Sequence, residues 1–276
     1  MAKRTYATPP AGLLPQTALT MDRSVFKTAY AVIPARVQRD IVTTRLPHWK
    51  NTRFWVLARP LSGFAETFAE YVVEVSSGGG SDQPEPDPDA EGVLFVLQGN
   101  PKLTLDGKRH TLKPGSYVFI GPRSRWSLSH GGKEPAQFIW VRKRYSYVDG
   151  IEPPKSFVTH DDEHDVQLMP DCNGVWGTTR FIDTNDVAHD MHVTIVTLQP
   201  GGVIPFQETH VMEHGLYVLE GKAVYNLNED WVEVEPGDFL WLRAFCPQAC
   251  YTAGPGPFRY LLYKDMSRHP ALTIHG

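Results

Sequence analysis

The feature that most constrains this chain is an internal repeat with an offset of 122 residues. Val93-Leu94-Phe95-Val96-Leu97-Gln98-Gly99 matches Gly215-Leu216-Tyr217-Val218-Leu219-Glu220-Gly221. Leu112-Lys113-Pro114-Gly115-Ser116-Tyr117-Val118-Phe119 matches Val234-Glu235-Pro236-Gly237-Asp238-Phe239-Leu240-Trp241 at the same offset. Phe138-Ile139-Trp140-Val141-Arg142 pairs with Tyr260-Leu261-Leu262-Tyr263-Lys264, and Gly79-Gly80 falls opposite Gly201-Gly202. Agreement of these blocks in one register makes the protein two copies of one module. Within each copy, short apolar runs rich in Val, Tyr, Phe and Trp alternate with turns, and the chain carries 23 Gly and 23 Pro. That texture predicts an all-β fold of antiparallel sandwich or barrel type.

The repeat sets the expected boundaries. Residues 1–50 carry few clean periods and are expected to form a wrapping arm or an oligomer contact. Residues 51–148 hold the first module, 149–173 a linker whose ends fold onto the modules, and 174–276 the second module. The Gly-, Pro- and acid-rich stretch Gly78 to Asp89 is expected to be an exposed loop, since proline cannot donate to a central ladder.

Charge and apolar patterning exclude several classes. With 27 Lys and Arg against 31 Asp and Glu, the formal charge of −4 offers no basic face for nucleic acid. No apolar run approaches the ~18 residues of a membrane helix, and the N-terminus lacks the apolar core of a signal peptide. Three cysteines, Cys172, Cys246 and Cys250, are too few for a disulfide framework. A cytoplasmic protein acting on a small molecule is the expectation.

The second module carries a constellation that the first lacks. After Gly202 come Glu208-Thr209-His210, then His214, Gly221, the turn Pro236-Gly237-Asp238, and Pro247-Gln248. In a strand, residues i and i+2 point to one side, so Glu208 and His210 share a face. A turn and the next strand bring His214 across, and a distant strand adds Gln248. One carboxylate, two imidazoles and an amide oxygen make a mixed N/O site that suits Mn²⁺ or Fe²⁺ better than Zn²⁺. Mn²⁺ is expected, one per chain. Subtracting 122 from these positions gives Pro86, Pro88, Gly92 and Trp126. None of these side chains binds a metal, so the first module is expected to be structural or regulatory. Tyr260 replaces Phe138, Tyr225 replaces Leu103, and Lys264 follows Tyr260 by four residues on the same strand face. A cation there would meet an anionic substrate or shuttle protons. His160 and His164, and His189 and His192, are read as solvated or hydrogen-bonded histidines, and Cys246 and Cys250 as buried small hydrophobes.

The spacing of the second module resembles the cupin superfamily at every fixed point, with the usual ligand types permuted into a Glu-His-His-Gln set. The stretches His210 to Gly221, Trp241 to Tyr251 and Tyr260 to Asp265 narrow the resemblance to the (S)-ureidoglycine aminohydrolases. The resemblance implies two tandem cupin (double-stranded β-helix, or jelly-roll) barrels, the first inactive. It also implies manganese-dependent deamination of ureidoglycine to ureidoglycolate and ammonia in allantoin breakdown. On that implication Glu208, His210, His214 and Gln248 hold the metal and Glu208 also acts as base. Tyr260 and Lys264 orient the substrate carboxylate or pass protons, and Tyr225 shapes the pocket. A homo-oligomer is expected, because cupins usually assemble through sheet edges. Two other readings stand beside it: an Fe²⁺-dependent cupin oxygenase or isomerase, and a non-enzymatic metabolite-binding cupin.

Overall fold

The computed structural model describes residues 24–38, 44–60 and 65–270. Residues 1–23 of the expected arm lie outside the described residues. The described chain is all-β, with helical structure confined to the single 3-10 turns Ala35–Val37 and Asp161–Glu163.

One sheet of nine strands builds the first module. Eight run in the order Phe157–His160, Ser116–Ile120, Ala90–Gln98, Ala136–Arg144, Ala69–Ser81, Trp126–His130, Lys102–Leu105, Lys108–Thr111, and Lys50–Ala58 pairs with Ala69–Ser81. The second module has an eight-stranded sheet in the order Val25–Phe26, Tyr30–Ile33, Phe239–Leu242, His214–Glu220, Phe258–Asp265, Met191–Leu198, Trp176–Thr179, Val166–Leu168. Its barrel is completed by Asp230–Val234, Ala223–Leu227 and Gln248–Thr252.

Why the central strands read as continuous apolar runs follows from the three cores. In Phe258–Asp265, Tyr260 and Leu262 enter the interior of the second barrel, while Leu261 and Tyr263 enter a core shared by both modules. Met191–Leu198 behaves likewise, with Val196 inward and Val193 and Ile195 toward the other module. A strand buried on both faces has no polar side to alternate with. The first barrel keeps its own interior around Phe54, Val73, Leu94 and Trp140. Polar ties cross the shared core: the Glu213 carboxylate accepts the backbone N–H groups of Glu66 and Thr67, each at 2.8 Å. The Lys143 ammonium pairs with buried Asp190 at 2.9 Å.

The repeat blocks end in matching turns. Gly99 and Gly221 both adopt positive φ (79° and 74°), and a Cβ on Gly221 would lie 2.0 Å from the Pro257 carbonyl oxygen. Gly115 and Gly237 also match, at 86° and 87°.

Two expectations gain detail and one is corrected. Tyr30–Ile33 belongs to the second module's sheet, pairing with Phe239–Leu242. The segment 149–173 contributes a strand to each module, Phe157–His160 to the first and Val166–Leu168 to the second. The glycines 78–80 are not loop: with Ser81 they end a 13-residue strand, and Gly79–Ser81 pair with Leu128–His130. A Cβ on Gly80 would meet Leu128 O at 2.0 Å, so glycine is needed for ladder contact and not for a turn.

Candidate metal centre and cavity

The interior of the second barrel opens into a cavity of about 330 Å³, whose wall includes Glu208, His210, His214, Gln248, Tyr260 and Lys264. Strand pairing explains the convergence. Directly opposed residues in an antiparallel sheet share a face, and His192, Lys264 and His214 stand opposite one another on three adjacent strands. Gln248 enters from Gln248–Thr252 through an isolated bridge to Glu208, held by reciprocal backbone hydrogen bonds of 2.9 Å. Glu208 and His210 therefore lie on a connecting segment beside a strand, not within one, and Phe245 N donates to His210 O at 2.6 Å to hold that segment.

The four candidate ligands meet as follows. His210 Nε2 lies 3.4 Å from Glu208 Oε2, and the rings of His210 and His214 are 5.0 Å apart. The Gln248 amide contacts His214 Nδ1 at 3.3 Å. His214 is 3% exposed, its Nε2 has no hydrogen-bond partner, and burial pushes its pKa down to about 3. The nearby positive groups His210 and Lys264 push in the same direction. A buried neutral imidazole with an unsatisfied ring nitrogen is chemically suited to metal ligation. Among the described residues no three His, Cys, Asp or Glu side chains sit close enough together to hold a metal ion between them. Glu208 and His210, 20% and 30% exposed, form the open side of the set. The donor types and the orphaned His214 nitrogen fit a divalent cation with N/O preference.

Lys264 lies with Arg180 on the cavity wall. Burial, then the charge of Arg180, lower its pKa from the ordinary lysine value, while Glu208 opposes them. Tyr260 is held a neutral phenol by burial. Tyr225 does not line the cavity: it is 1% exposed and packs edge-on behind Tyr260, ring centroids 6.1 Å apart. Its added hydroxyl lies buried behind the wall and does not form it. Cys246 and Cys250 are buried in the barrel core, and burial pushes their thiols up to about 11 and about 12.

Of the other histidines, His160 and His164 are hydrogen-bonded, to Pro114 O at 2.9 Å and to Thr159 Oγ1 at 2.8 Å. His192 departs from the expectation. It is fully buried, neither ring nitrogen has a partner, and it lines the cavity with Thr178, Arg180 and Thr194. The signal was present in Met191-His192-Val193-Thr194-Ile195-Val196, where the polar residues fall at i and i+2 of an otherwise apolar strand.

In the first module the equivalent space shrinks to about 40 Å³, lined by Pro88, Gly92, Trp126 and Trp140. Trp126, which replaces Gln248, packs against Trp140 with centroids 5.6 Å apart, and Trp49 packs against both. A Cβ at Gly92, which replaces His214, would come within 3.2 Å of the Trp140 indole nitrogen.

A family model for the cupin domain matches residues 71–142 and 194–263, one match per module. An (S)-ureidoglycine aminohydrolase of Arabidopsis thaliana is 32% identical over 252 residues, covering 90% of this chain and 79% of its own length. The chain belongs to the cupin family and, within it, to the ureidoglycine aminohydrolases. The Escherichia coli (strain K12) aminohydrolase is 29% identical, covering 83% of this chain and 86% of its own. Among solved structures, a Pseudomonas aeruginosa protein described as glyoxylate-induced superimposes with a TM-score of 0.90. It is 59% identical and covers 99% of this aminohydrolase-family chain and 100% of its own. No helix among the described residues is long and apolar enough to cross a membrane.

Proposed function

We propose that this protein hydrolyses (S)-ureidoglycine to (S)-ureidoglycolate and ammonia, with Mn²⁺ held by Glu208, His210, His214 and Gln248 in the second module. The observation that carries the reading is membership of a family whose curated relatives bear that name across most of the chain. In the reaction the carbon–nitrogen bond to the amine breaks, a carbon–oxygen bond to water forms, and the amine leaves as ammonia. A divalent cation at the four ligands would supply a Lewis-acid centre that fixes the substrate and activates water.

The chain's own groups supply the rest. The Glu208 carboxylate, on the open side of the site, accepts the proton of the incoming water and returns it to the departing amine. Lys264 and Arg180 give the cavity a cationic wall that holds the substrate carboxylate. Tyr260, a neutral phenol, donates a hydrogen bond and is not the base. Binding three substituents of one tetrahedral carbon at different walls fixes the enantiomer.

The test uses metal-depleted protein, allantoate and an allantoate amidohydrolase to generate ureidoglycine in place. Mn²⁺ is added, and ammonia and the two ureidoglycolate enantiomers are followed against a control without this protein. Acceleration that depends on Mn²⁺ and yields the S enantiomer is expected. A metal-loaded protein that leaves the spontaneous rate unchanged refutes the reading.

A further inference from the structure

The wall carrying His192 and Thr194 is built for a ligand group that nothing above has used. His192 is 0% exposed with both ring nitrogens unpartnered, and Thr194 is 2% exposed with its Oγ1 unpartnered. Both line the cavity. Leaving three buried polar atoms unsatisfied is costly unless a ligand completes them. They are two residues apart on Met191–Leu198 and so share its inward face, beside Lys264, which stands directly opposite His192. Burial pushes the His192 pKa down to about 4, with the charge of Lys264 next in effect. The ring therefore presents one N–H donor and one bare nitrogen acceptor. The threonine hydroxyl adds a second group able to do both.

A carboxylate or a second cation does not match that inventory. A neutral planar group offering N–H donors and a carbonyl acceptor does. We infer that His192 and Thr194 seat the ureido group of the substrate, and that this seat gives the enzyme its selectivity for ureides over simple amides. The inference rests on the ureidoglycine reading. It separates the roles of the cavity walls: Lys264 and Arg180 take the carboxylate, His192 and Thr194 the ureido group, and the Glu208 side the reacting amine.

Two unreactive probes isolate the seat. N-carbamoylglycine has the carboxylate and the ureido group without the amine, and N-acetylglycine replaces the terminal NH₂ with a methyl group. Both are titrated calorimetrically into Mn²⁺-loaded wild-type protein and into His192→Leu, His192→Gln and Thr194→Val, each variant checked for folding by its melting curve. Wild type is expected to bind the ureide about tenfold or more tightly than the amide, the size of one lost hydrogen bond. His192→Leu and Thr194→Val weaken both probes but N-carbamoylglycine at least about threefold more than N-acetylglycine, which has no terminal NH₂ for the seat to bind, so the preference shrinks. His192→Gln, which keeps a donor and an acceptor, retains most of it. Unchanged preference in His192→Leu and Thr194→Val overturns the assignment of the seat. Failure of wild type to bind either probe overturns the ureide reading itself, and the seat with it.

Discussion

Glu70 offers a test of the shared core that needs no substrate. It is 1% exposed, its Oε2 has no hydrogen-bond partner, and burial raises its pKa from 4.5 to about 8. The carboxyl lies against the second module, where a Cβ added to Gly215 would be 2.8 Å from Glu70 Oε2. Below pH 4.5 the folded and unfolded chains both hold this proton, and the site favours neither state. Between pH 4.5 and about 8 only the unfolded chain releases it, so stability falls as pH rises, and above about 8 the loss is complete. At about 1.4 kcal/mol per pH unit, the gap is worth about 5 kcal/mol, of which about 4 develops between pH 5 and pH 9. Glu70→Gln removes the ionisation and keeps the volume. Denaturant unfolding of both proteins, metal-free, at pH 5, 6, 7, 8 and 9 should show the variant gaining on wild type by about 4 kcal/mol across the series. Parallel stability curves over that range would refute the reasoning, because a carboxyl that ionises freely in the folded protein is not buried as described.

The acid side gives the converse. The pKa of His192 is lowered from 6.5 to about 4, so its contribution is present above pH 6.5 and is lost on acidification toward 4. His192→Leu should flatten the wild-type decline by about 3 kcal/mol, and equal slopes would contradict it. His214→Ala should cost more than about tenfold in Mn²⁺ affinity, read by equilibrium dialysis, with ammonia release falling in parallel; full metal retention would remove His214 from the ligand set. Tyr260→Phe should lower kcat/KM by about tenfold or more and Tyr225→Phe by no more than about threefold, since only Tyr260 reaches the cavity. Reversal of that order would place the two tyrosines wrongly. Gly221→Ala should be destabilising by about 1 kcal/mol or more, because φ is positive and the Pro257 carbonyl blocks the new carbon.

Much of this arrangement was legible because repeat, turn and ligand signals are local or periodic. Comparing Leu216 to Val218 with Leu94 to Val96 locates equivalent strands without any structure, and the same arithmetic shows Trp126 and Gly92 where ligands would be. What escaped was non-local or ambiguous in type. Tyr30–Ile33 looks like any short apolar stretch, and nothing near it names a partner more than 200 residues away. Gly78-Gly79-Gly80 has loop chemistry, yet the close approach of Leu128 makes it strand. His192 sits in an apolar run whose period cannot say whether a buried polar group faces a core or a cavity. Tyr225 and Tyr260 both gain a hydroxyl over the first module, and only packing separates the one behind from the one in front.

The strand exchange has a consequence for how the protein comes into being on the ribosome. Tyr30–Ile33 precedes the first barrel in the chain, but Phe239–Leu242, its neighbour in the sheet, is synthesised about 210 residues later. At about 5–20 residues per second, that early strand spends roughly 10–40 s with an unpaired edge. The first barrel can close meanwhile, whereas the early strand must wait for the second. Vectorial synthesis thus sets an order of assembly, in which the second module is completed last.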